Sequence, residues 1–214
     1  MKVAIVGATG MIGSKLLEEA VDRGHVVTAV SRHATKLPAH DRLRPVEADV
    51  NDTKALAAAF SGQDAILHAF APPRLSVAER VEQQRAGSRS IIAAAKSAGV
   101  RRILAVGGAG TLEVAPGIMN ADRPEFPASW EGGVKSTALI KGLLAAEPDL
   151  DWTFLCPSHD IFVGERTGKF RLGLDRMLVD ADGKSSISTA DYAIAMIDEL
   201  ENPKHSRKRF TVGY

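Results

Sequence analysis

The chain has 214 residues, of which 45% are hydrophobic and 25% charged, and its 27 Lys and Arg against 26 Asp and Glu give a formal net charge of +1. This length favours a single domain, and a near-neutral total lacks the basic excess typical of nucleic-acid binders. Because Cys156 is the one cysteine, an intrachain disulfide is excluded and a reducing cytoplasm is favoured. No segment has the ~18 consecutive apolar residues of a membrane span, so we expect a cytoplasmic protein that binds neither membrane nor nucleic acid.

Short apolar runs alternate with segments of helical spacing along most of the chain. Runs of this kind are typical of strands buried on both faces, and the alternation predicts a parallel sheet with helices on both sides. We therefore predict a doubly wound, Rossmann-like α/β fold in one domain spanning residues 1–214. In chain order, the predicted strands are residues 3–6, 26–30, 44–46, 65–70, 103–106, 152–156 and 209–212, and the predicted helices are residues 11–23, 52–60, 75–98, 130–147 and 189–200.

Three segments need a separate interpretation. The apolar run at the start of the chain is shorter than the ~7–15 residues of a signal-peptide core, so we expect a buried strand and a mature protein that begins at Met1. Residues 107–128 and 157–184 are irregular and longer than ordinary loops, which indicates substrate-facing segments. We expect residues 157–214 to contribute the substrate side of the domain.

A glycine-rich turn joins the first predicted strand to the first predicted helix. Its sequence, Gly-Ala-Thr-Gly-Met-Ile-Gly from Gly7, has the spacing and the context of a dinucleotide-binding fingerprint. The first glycine permits the tight turn, the second lets the backbone approach a pyrophosphate, and the third lets the helix pack against the sheet. Backbone N–H groups at the helix start would face the phosphates. The predicted cofactor-binding residues of this turn are Gly7, Thr9, Gly10, Met11, Ile12 and Gly13.

The residues after the second strand indicate which cofactor is preferred. A site for NAD has Asp or Glu there to bind the ribose hydroxyls, whereas this chain has Ser31, Arg32 and His33, with Lys36 close behind. A guanidinium binds a phosphate through two parallel hydrogen bonds. The sequence therefore favours NADPH over NADH, with Arg32 on the 2′-phosphate; a solvated surface arginine is the alternative interpretation.

Further cofactor contacts are expected at the carboxyl ends of the later strands, because open parallel sheets bind ligands at that edge. Asp49 and Val50 follow the third strand and would border the adenine. Residues 69–71 follow the fourth strand and would line the ribose and pyrophosphate. The predicted contacts from the remaining strand ends are Ala69, Phe70, Ala71, Gly107, Gly108, Pro157 and Ser158.

Taken together, these residues resemble the short-chain dehydrogenase/reductase superfamily in its atypical, NAD(P)H-binding branch. The resemblance is most specific to bacterial proteins described as NADH-flavin reductases, and it covers nearly the whole chain. Its motifs are Gly-Gly-Ala-Gly from Gly107, Arg-Thr-Gly-Lys-Phe-Arg from Arg166, Ile-Ser-Thr-Ala-Asp-Tyr-Ala from Ile187 and Arg-Phe-Thr-Val from Arg209. The resemblance implies NADP as cofactor and FMN or FAD as a substrate. We expect a monomer or a homodimer that acts on a small molecule.

The chain lacks the Tyr-x-x-x-Lys pair that most short-chain dehydrogenases use for proton transfer. Neither Tyr192 nor Tyr214 has a lysine at that spacing, and Glu131 stands four residues before Lys135. This disfavours carbonyl reduction of the common type. Hydride transfer to a flavin requires mainly that two rings are oriented, and glycines after the fifth strand would leave room for a flat acceptor.

His159 is the candidate catalytic residue. It follows the sixth strand, and its segment resembles the Pro-Pro-His segment of the related biliverdin-IXβ/flavin reductases, where the histidine borders the substrate pocket. We predict a proton donor or a substrate contact, influenced by Asp160; a histidine that only forms local hydrogen bonds is the alternative. We expect His68 and the basic run at residues 204–209 to be structural. No cluster has metal-ligand spacing, so no metal is predicted.

The sequence therefore predicts an NADPH-dependent reductase of a flavin or another flat, conjugated acceptor. The acceptor is expected between residues 108–111, residues 157–159 and the loop around Arg166. Two alternatives stay open. A non-catalytic, NmrA-like sensor of NAD(P) would also lack the tyrosine motif. A sugar-nucleotide epimerase or dehydratase would need that tyrosine and usually has a larger C-terminal region.

Overall fold

The structure is a computed structural model that describes residues 1–73 and 75–214. Its helices are α1 (Met11–Asp22), α2 (Thr53–Phe60), α3 (Val77–Ser97), α4 (Glu131–Ala145) and α5 (Thr189–Glu201). Its strands are β1 (Lys2–Val6), β2 (Val26–Ser31), β3 (Leu43–Glu47), β4 (Ala65–His68), β5 (Arg102–Val106), β6 (Glu113–Ala115), β7 (Ile118–Met119), β8 (Asp151–Cys156), β9 (Asp160–Phe162), β10 (Arg171–Gly173), β11 (Ser186–Ser188) and β12 (Lys208–Gly213).

An eight-stranded sheet forms the centre of the fold, in the order β10-β12-β8-β5-β4-β1-β2-β3. Neighbouring strands pair in parallel except β10, which runs antiparallel to β12 at the edge. The chain moves outward from β1 to β3 and then returns to β4 on the other side of β1. This reversal of strand order is where doubly wound sheets bind ligands. The predicted Rossmann-like α/β architecture is confirmed.

Alternating side chains of the sheet pack into two apolar layers. In β1, Val3 and Ile5 pack with α1 and α5, whereas Ala4 and Val6 pack with α2, α3 and α4. All four side chains are at most 3% exposed. Both faces of the sheet are therefore covered, which is why its strands read as continuous apolar runs instead of alternating patterns. No helix of the described residues is long and apolar enough to cross a membrane.

The two irregular stretches contain short strands and pair with each other. Residues 107–128 include the antiparallel hairpin of β6 and β7, and β9 of the second stretch pairs in parallel with β11. The backbone N–H of Glu113 donates to the carbonyl of Asp175 (2.9 Å), and that of Met177 donates to the carbonyl of Glu113 (2.8 Å). The two stretches thus form one cross-linked region that follows β5 and β8, beside the ligand-binding edge of the sheet.

Candidate functional site

A cleft of about 650 Å³ opens at the carboxyl ends of β1, β2, β3 and β4. Its volume lies within the ~300–1,000 Å³ of ordinary ligand sites. The cleft brings together all the residues that the sequence pointed to at the glycine turn and at the first four strand ends. They are Gly7, Thr9, Gly10, Met11, Ile12, Gly13, Arg32, Asp49, Val50, Ala69, Phe70 and Ala71.

The three glycines of the turn face different constraints. Gly7 has a φ of +87°, and a Cβ there would lie 2.6 Å from the carbonyl oxygen of Ala69. A Cβ on Gly13 would lie 2.0 Å from the carbonyl oxygen of Gly7. The corresponding distance at Gly10 is 3.3 Å. Glycine is therefore required at positions 7 and 13 by contacts within the protein, while position 10 keeps the backbone open to the cleft.

The N-terminus of α1 points its free donors into this cleft. Gly10 is the N-cap, no side chain caps the helix, and its first turn contains no acidic residue. The first N–H groups of a helix have no partner within the helix, and they carry partial positive charge. A cradle of uncapped N–H groups beside an open glycine backbone fits the pyrophosphate of a dinucleotide.

The opposite end of the cleft carries a cation but no acidic residue at the end of β2. Arg32 and His33 line the cleft there, whereas Lys36 is not among the residues that line it. Glu47, which is level with the end of β2, accepts a 2.6 Å hydrogen bond from the hydroxyl of Thr35. Of the two cations that the sequence placed near a 2′-phosphate, only Arg32 therefore lies against the cleft.

A second pocket of about 690 Å³ adjoins the cleft at the ends of β5 and β8. We call it the acceptor pocket. It is lined by the candidate catalytic residue His159 and by four residues that were predicted as cofactor contacts but do not line the cleft: Gly107, Gly108, Pro157 and Ser158. The two spaces share lining residues, so a ligand in one can touch a ligand in the other. The shared residues are Met11, Ile12, Arg80, Gly133 and Thr137.

His159 lies in the acceptor pocket beside two aromatic side chains. Its ring centroid is 5.9 Å from that of Phe126, in an edge-to-face arrangement, and 5.2 Å from that of Trp130. Its Nδ1 is 2.9 Å from the side-chain nitrogen of the fully buried Asn120, and its backbone N–H donates to the hydroxyl of Ser185 (3.1 Å). The partner of the imidazole is therefore Asn120, in place of the expected Asp160.

The contacts of Asn120 determine which nitrogen of His159 carries the proton. The side-chain nitrogen of Asn120 also lies 3.4 Å from the carbonyl oxygen of Ala109, which can only accept a hydrogen bond. The group facing Ala109 and His159 is therefore the amide NH₂, and Nδ1 of His159 accepts its hydrogen bond. The neutral imidazole then carries its proton on Nε2. In that state His159 offers a hydrogen-bond donor, which is a narrower role than the predicted proton donor.

Comparison with known proteins identifies the family. Residues 7–203 match a family described as NAD(P)H-binding. The chain belongs to this family. YwnB of Bacillus subtilis, whose description is uncharacterized protein, is 39% identical over 99% of this chain and 98% of its own length. The predicted resemblance to NAD(P)H-binding proteins is thus confirmed.

Two solved structures of similar proteins cover the whole chain. A protein from Bacteroides thetaiotaomicron, provisionally described as an epimerase, is 43% identical with a TM-score of 0.92, and the match covers 100% of this chain and 96% of that one. A protein from Streptococcus pneumoniae, provisionally described as an NADH-flavin reductase, is 32% identical with a TM-score of 0.84 and coverage of 100% and 99%.

The glycines after β5 serve packing in this NAD(P)H-binding protein, contrary to the expectation that they leave room for a flat ring. A Cβ on Gly107 would lie 2.7 Å from the ring of Phe154, and one on Gly108 would lie 2.6 Å from the hydroxyl of Thr137. Both positions face protein atoms. Their absent side chains let the strand end approach β8 and α4, and the space of the acceptor pocket comes from elsewhere.

Neither tyrosine of the NAD(P)H-binding chain is available for proton transfer. Tyr192 is fully buried and donates a 2.7 Å hydrogen bond to the carbonyl of Leu155, and burial raises its pKa well above the usual value. The hydroxyl of Tyr214 donates to the carboxylate of Asp191 (2.8 Å). Lys135 forms an exposed ion pair with Glu131 (2.6 Å). These residues stabilise the fold.

The loop around Arg166 does not border the acceptor pocket, so that part of the sequence prediction is wrong. Its guanidinium donates to both carboxylate oxygens of Glu19 on α1, at 2.8 and 2.9 Å. The pocket is completed instead by Phe126 and Trp130, from the stretch before α4. The substrate side of the domain therefore draws on residues 107–134 as well as on residues from 157 onward.

The remaining residues singled out in the sequence are structural. Cys156 is fully buried, and burial raises the pKa of its thiol. Burial lowers the pKa of His68 to about 4, and its Nε2 lies 3.0 Å from the hydroxyl of Ser88. In the basic run, His205 bonds to Glu199 (2.8 Å), and Arg207 donates to three backbone carbonyls. Among the described residues, no three His, Cys or carboxylate side chains are grouped to hold a metal ion.

Several residues that line the two spaces or hold His159 were not predicted from the sequence. Among them are Arg80, Asn120, Phe126 and Trp130. One signal for the aromatic pair was present, since a chain with only 5% aromatic residues places two of them within five positions of an otherwise irregular stretch. Arg80 and Asn120 had no such signal, because a helical arginine and a loop asparagine are ordinary at solvated positions.

Proposed function

We propose that this protein uses NADPH to reduce a flavin or another flat, conjugated acceptor by direct hydride transfer. The observation that carries the proposal is that the two spaces adjoin each other. The cleft and the acceptor pocket share the lining residues Met11, Ile12 and Thr137. A nicotinamide at that junction would supply the hydride, and the chain has only to hold two rings in contact and exclude water.

The cofactor side of the proposal rests on complementary charge. The uncapped N-terminus of α1 and the open backbone at Gly10 suit a pyrophosphate. Arg32 lines the cleft where the end of β2 offers no free carboxylate, and this supports a 2′-phosphate there. NADPH is therefore the favoured cofactor. The single, buried Cys156 supports a reducing cytoplasm as the location.

The acceptor side of the proposal rests on the aromatic surroundings of His159. Phe126 and Trp130 stand at 5.9 and 5.2 Å from its ring and give the pocket flat apolar surfaces, which suit a conjugated ring system. The Nε2–H of His159 is free to donate to a ring heteroatom that gains electron density on reduction. Hydrogen-bond donation is sufficient, since the one proton that the acceptor takes up besides the hydride can be supplied by solvent after the hydride has been transferred.

A turnover assay with purified protein tests the proposal. We expect FMN to be reduced by NADPH faster than in a reaction without enzyme, with a smaller rate from NADH. The Phe126→Ala variant tests the acceptor side separately. It should keep its affinity for NADPH, whereas its rate of FMN reduction should fall. Tight binding of NADPH without turnover of FMN or any quinone-like acceptor would contradict the proposal.

That negative outcome would favour the non-catalytic sensor, which also fits a chain whose two tyrosines are engaged in the fold. The epimerase alternative, which the description of the Bacteroides protein raises again, has weaker support. Sugar epimerisation through a short-chain dehydrogenase site needs an accessible tyrosine in the pocket, and within the described residues Tyr192 is buried and Tyr214 binds Asp191.

A further inference from the structure

An arginine whose side chain has no hydrogen-bond or ion-pair partner among the described residues stands where the cofactor cleft meets the acceptor pocket. Arg80 lies in the first turn of α3, is half-buried, and lines both spaces. Its Nε is buried and has no hydrogen-bond partner in residues 1–73 and 75–214. No sequence pattern points to Arg80, and the proposed function does not yet use it.

The acidic residues near Arg80 are engaged elsewhere. On α3, Glu79 accepts hydrogen bonds from Ser76 within the helix cap, and Glu82 pairs with Arg85 (3.3 Å). On α4, Glu131 pairs with Lys135 (2.6 Å). In the part of the chain that the structure describes, no carboxylate forms an ion pair with Arg80. Its positive charge is therefore not neutralised by the protein.

The first turn of α4 fixes where the side chain of Arg80 lies. A Cβ on Gly132 would be 3.2 Å from its Cδ, and a Cβ on Gly133 would be 3.6 Å from its Nη2. The aliphatic stem thus lies against a helix surface without side chains, and Gly133 itself lines both spaces. This contact holds the guanidinium at the junction instead of leaving it free to extend into solvent.

A half-buried guanidinium without a partner is unfavourable, because arginine stays charged at all ordinary pH values and loses hydration on burial. An anionic group on a ligand would remove that cost and accept parallel hydrogen bonds from the guanidinium. The pyrophosphate of the cofactor already has the N-terminus of α1. Among the described lining residues of the acceptor pocket, Arg80 is the one arginine or lysine.

We propose that Arg80 is a specificity-determining residue that binds a phosphate or carboxylate of the ligand at the junction, and that this group belongs to the acceptor. The inference rests on the proposed function for the identity of that acceptor. It narrows the substrate class to flat, conjugated molecules with an anionic substituent, such as a flavin with a phosphate. The same chemistry could be supplied by the phosphates of the cofactor, so the experiment separates the two sources.

Equilibrium binding tests the inference without requiring turnover. The Arg80→Gln variant removes the charge and keeps a similar length, and Arg89→Gln is the matched control, because Arg89 is an exposed arginine on the same helix outside both spaces. Flavin fluorescence reports the Kd of FMN and of riboflavin, which lacks the phosphate, for protein saturated with NADP⁺. A separate titration gives the Kd of NADPH.

We expect Arg80→Gln to weaken FMN binding by about 10- to 100-fold, the usual effect of one charged hydrogen-bonding group. The Kd values of riboflavin and NADPH should not change, and Arg89→Gln should bind all three ligands like the unmodified protein. A weaker Kd for NADPH with an unchanged ratio of FMN to riboflavin would move the anion to the cofactor and overturn the assignment to the acceptor. Unchanged values for all three ligands would overturn the anion site itself.

The outcome also separates this inference from the proposed function. If the unmodified protein binds NADPH but neither flavin, flavin reduction fails as a function. The role of Arg80 is then decided by a carboxylate-bearing aromatic probe, anthraquinone-2-carboxylate, against anthraquinone. Loss of the preference for the carboxylate in Arg80→Gln, but not in Arg89→Gln, supports the site. If the unmodified protein shows no preference for anthraquinone-2-carboxylate over anthraquinone, the anion site at Arg80 is overturned.

Discussion

The cofactor cleft and the acceptor pocket adjoin each other but are built in different ways. The cleft is formed by short turns that directly follow strands β1 to β4. Glycine is required at position 13 by a contact within the glycine turn and at position 7 by a contact with the backbone that directly follows β4. The acceptor pocket gathers Arg80, Trp130 and His159 from three separate segments. Local geometry thus determines the first space, and long-range packing determines the second. The predictions below test that difference, from the largest expected effect to the smallest.

The glycine turn should tolerate the least change. An ideal Cβ at position 13 would lie 2.0 Å from the carbonyl oxygen of Gly7, so Gly13→Ala forces these two atoms apart. We expect NADPH binding to weaken by more than ~100-fold, because the turn must move away from the phosphates. Gly142→Ala is the control, since a Cβ there meets nothing within 4 Å, and it should raise stability by up to ~1 kcal/mol. Titration with NADPH measures the affinity of each variant, and thermal unfolding measures its stability. If both variants bound NADPH equally well, the conclusion that local geometry determines the cleft would be contradicted.

Arg32 should discriminate between the two cofactors. Arg32→Gln is expected to weaken NADPH by about 10- to 100-fold through loss of a charged hydrogen-bonding group, with NADH unchanged. Lys36→Gln should leave both affinities unchanged, because Lys36 is not among the residues that line the cleft. The Kd values of NADPH and NADH for each variant show whether Arg32 contacts the 2′-phosphate. A parallel loss of NADH would show that Arg32 contacts another part of the nucleotide.

The ion pair between Glu19 and Arg166 should tie the C-terminal half of the chain to α1 in a pH-dependent way. The hydrogen bond from Arg166 lowers the pKa of the Glu19 carboxyl below 4.5. Its contribution to stability is therefore present above the unfolded-state pKa and is lost as the pH falls through the lower, folded-state pKa. We expect Glu19→Gln to reduce the free energy of unfolding by about 1–2 kcal/mol at pH 7.

Denaturant unfolding between pH 7 and pH 3 measures this effect, and the difference between Glu19→Gln and the unmodified protein should shrink toward the acid end. Glu18→Gln is the control, because Glu18 is 55% exposed and pairs with Lys15 at the surface; exposed pairs contribute little. A difference that stays constant over the whole range would mean that the charge of Glu19 is not what stabilises the contact.

His159 should have the smallest effect, because we expect its Nε2–H to donate one hydrogen bond without transferring a proton. We expect His159→Phe, which keeps a flat ring in the aromatic group, to lower the rate of acceptor reduction about three- to tenfold and to leave the Kd of NADPH unchanged. A loss of more than ~100-fold would restore His159 as a general acid.

A ¹⁵N spectrum of the histidines checks the state of that ring directly. In the unmodified protein the neutral ring of His159 should carry its proton on Nε2, and Asn120→Leu should give a mixture of the two neutral forms. An unchanged spectrum in Asn120→Leu would show that Asn120 does not fix the proton.

The features that could be predicted from the sequence are those that depend on local structure, and the features that could not depend on long-range packing. The strands of the sheet are apolar runs, and the spacing of Gly7, Gly10 and Gly13 requires one kind of turn. The residues that this turn and the first four strand ends contribute to the cleft could therefore be predicted from the sequence alone. Strand β10 was missed, since three residues at an antiparallel edge produce no periodic pattern. The assignment of Arg166 to the substrate failed because its partner, Glu19, lies 147 residues away.

The acceptor pocket exposes a further limit of sequence patterns. Gly107 and Gly108 were correctly expected near the pocket, but the reason was wrong, because their Cβ positions face Phe154 and Thr137. A glycine in the sequence does not reveal whether a ligand or the protein itself fills the space of the absent side chain. The junction at Arg80 has the same limit, because it depends on the packing of α3 against α4, which leaves no local pattern in the sequence.

The cross-link at Glu113 has a consequence for how acceptor preference can diverge among relatives. The backbone of Glu113 is held between Asp175 and Met177 by two hydrogen bonds, so the stretch that carries Phe126 and the stretch that begins at Pro157 share one support. An insertion or deletion in either stretch displaces the other. New acceptor specificities should therefore arise by paired length changes in these two segments, while the nucleotide half of the domain is inherited intact.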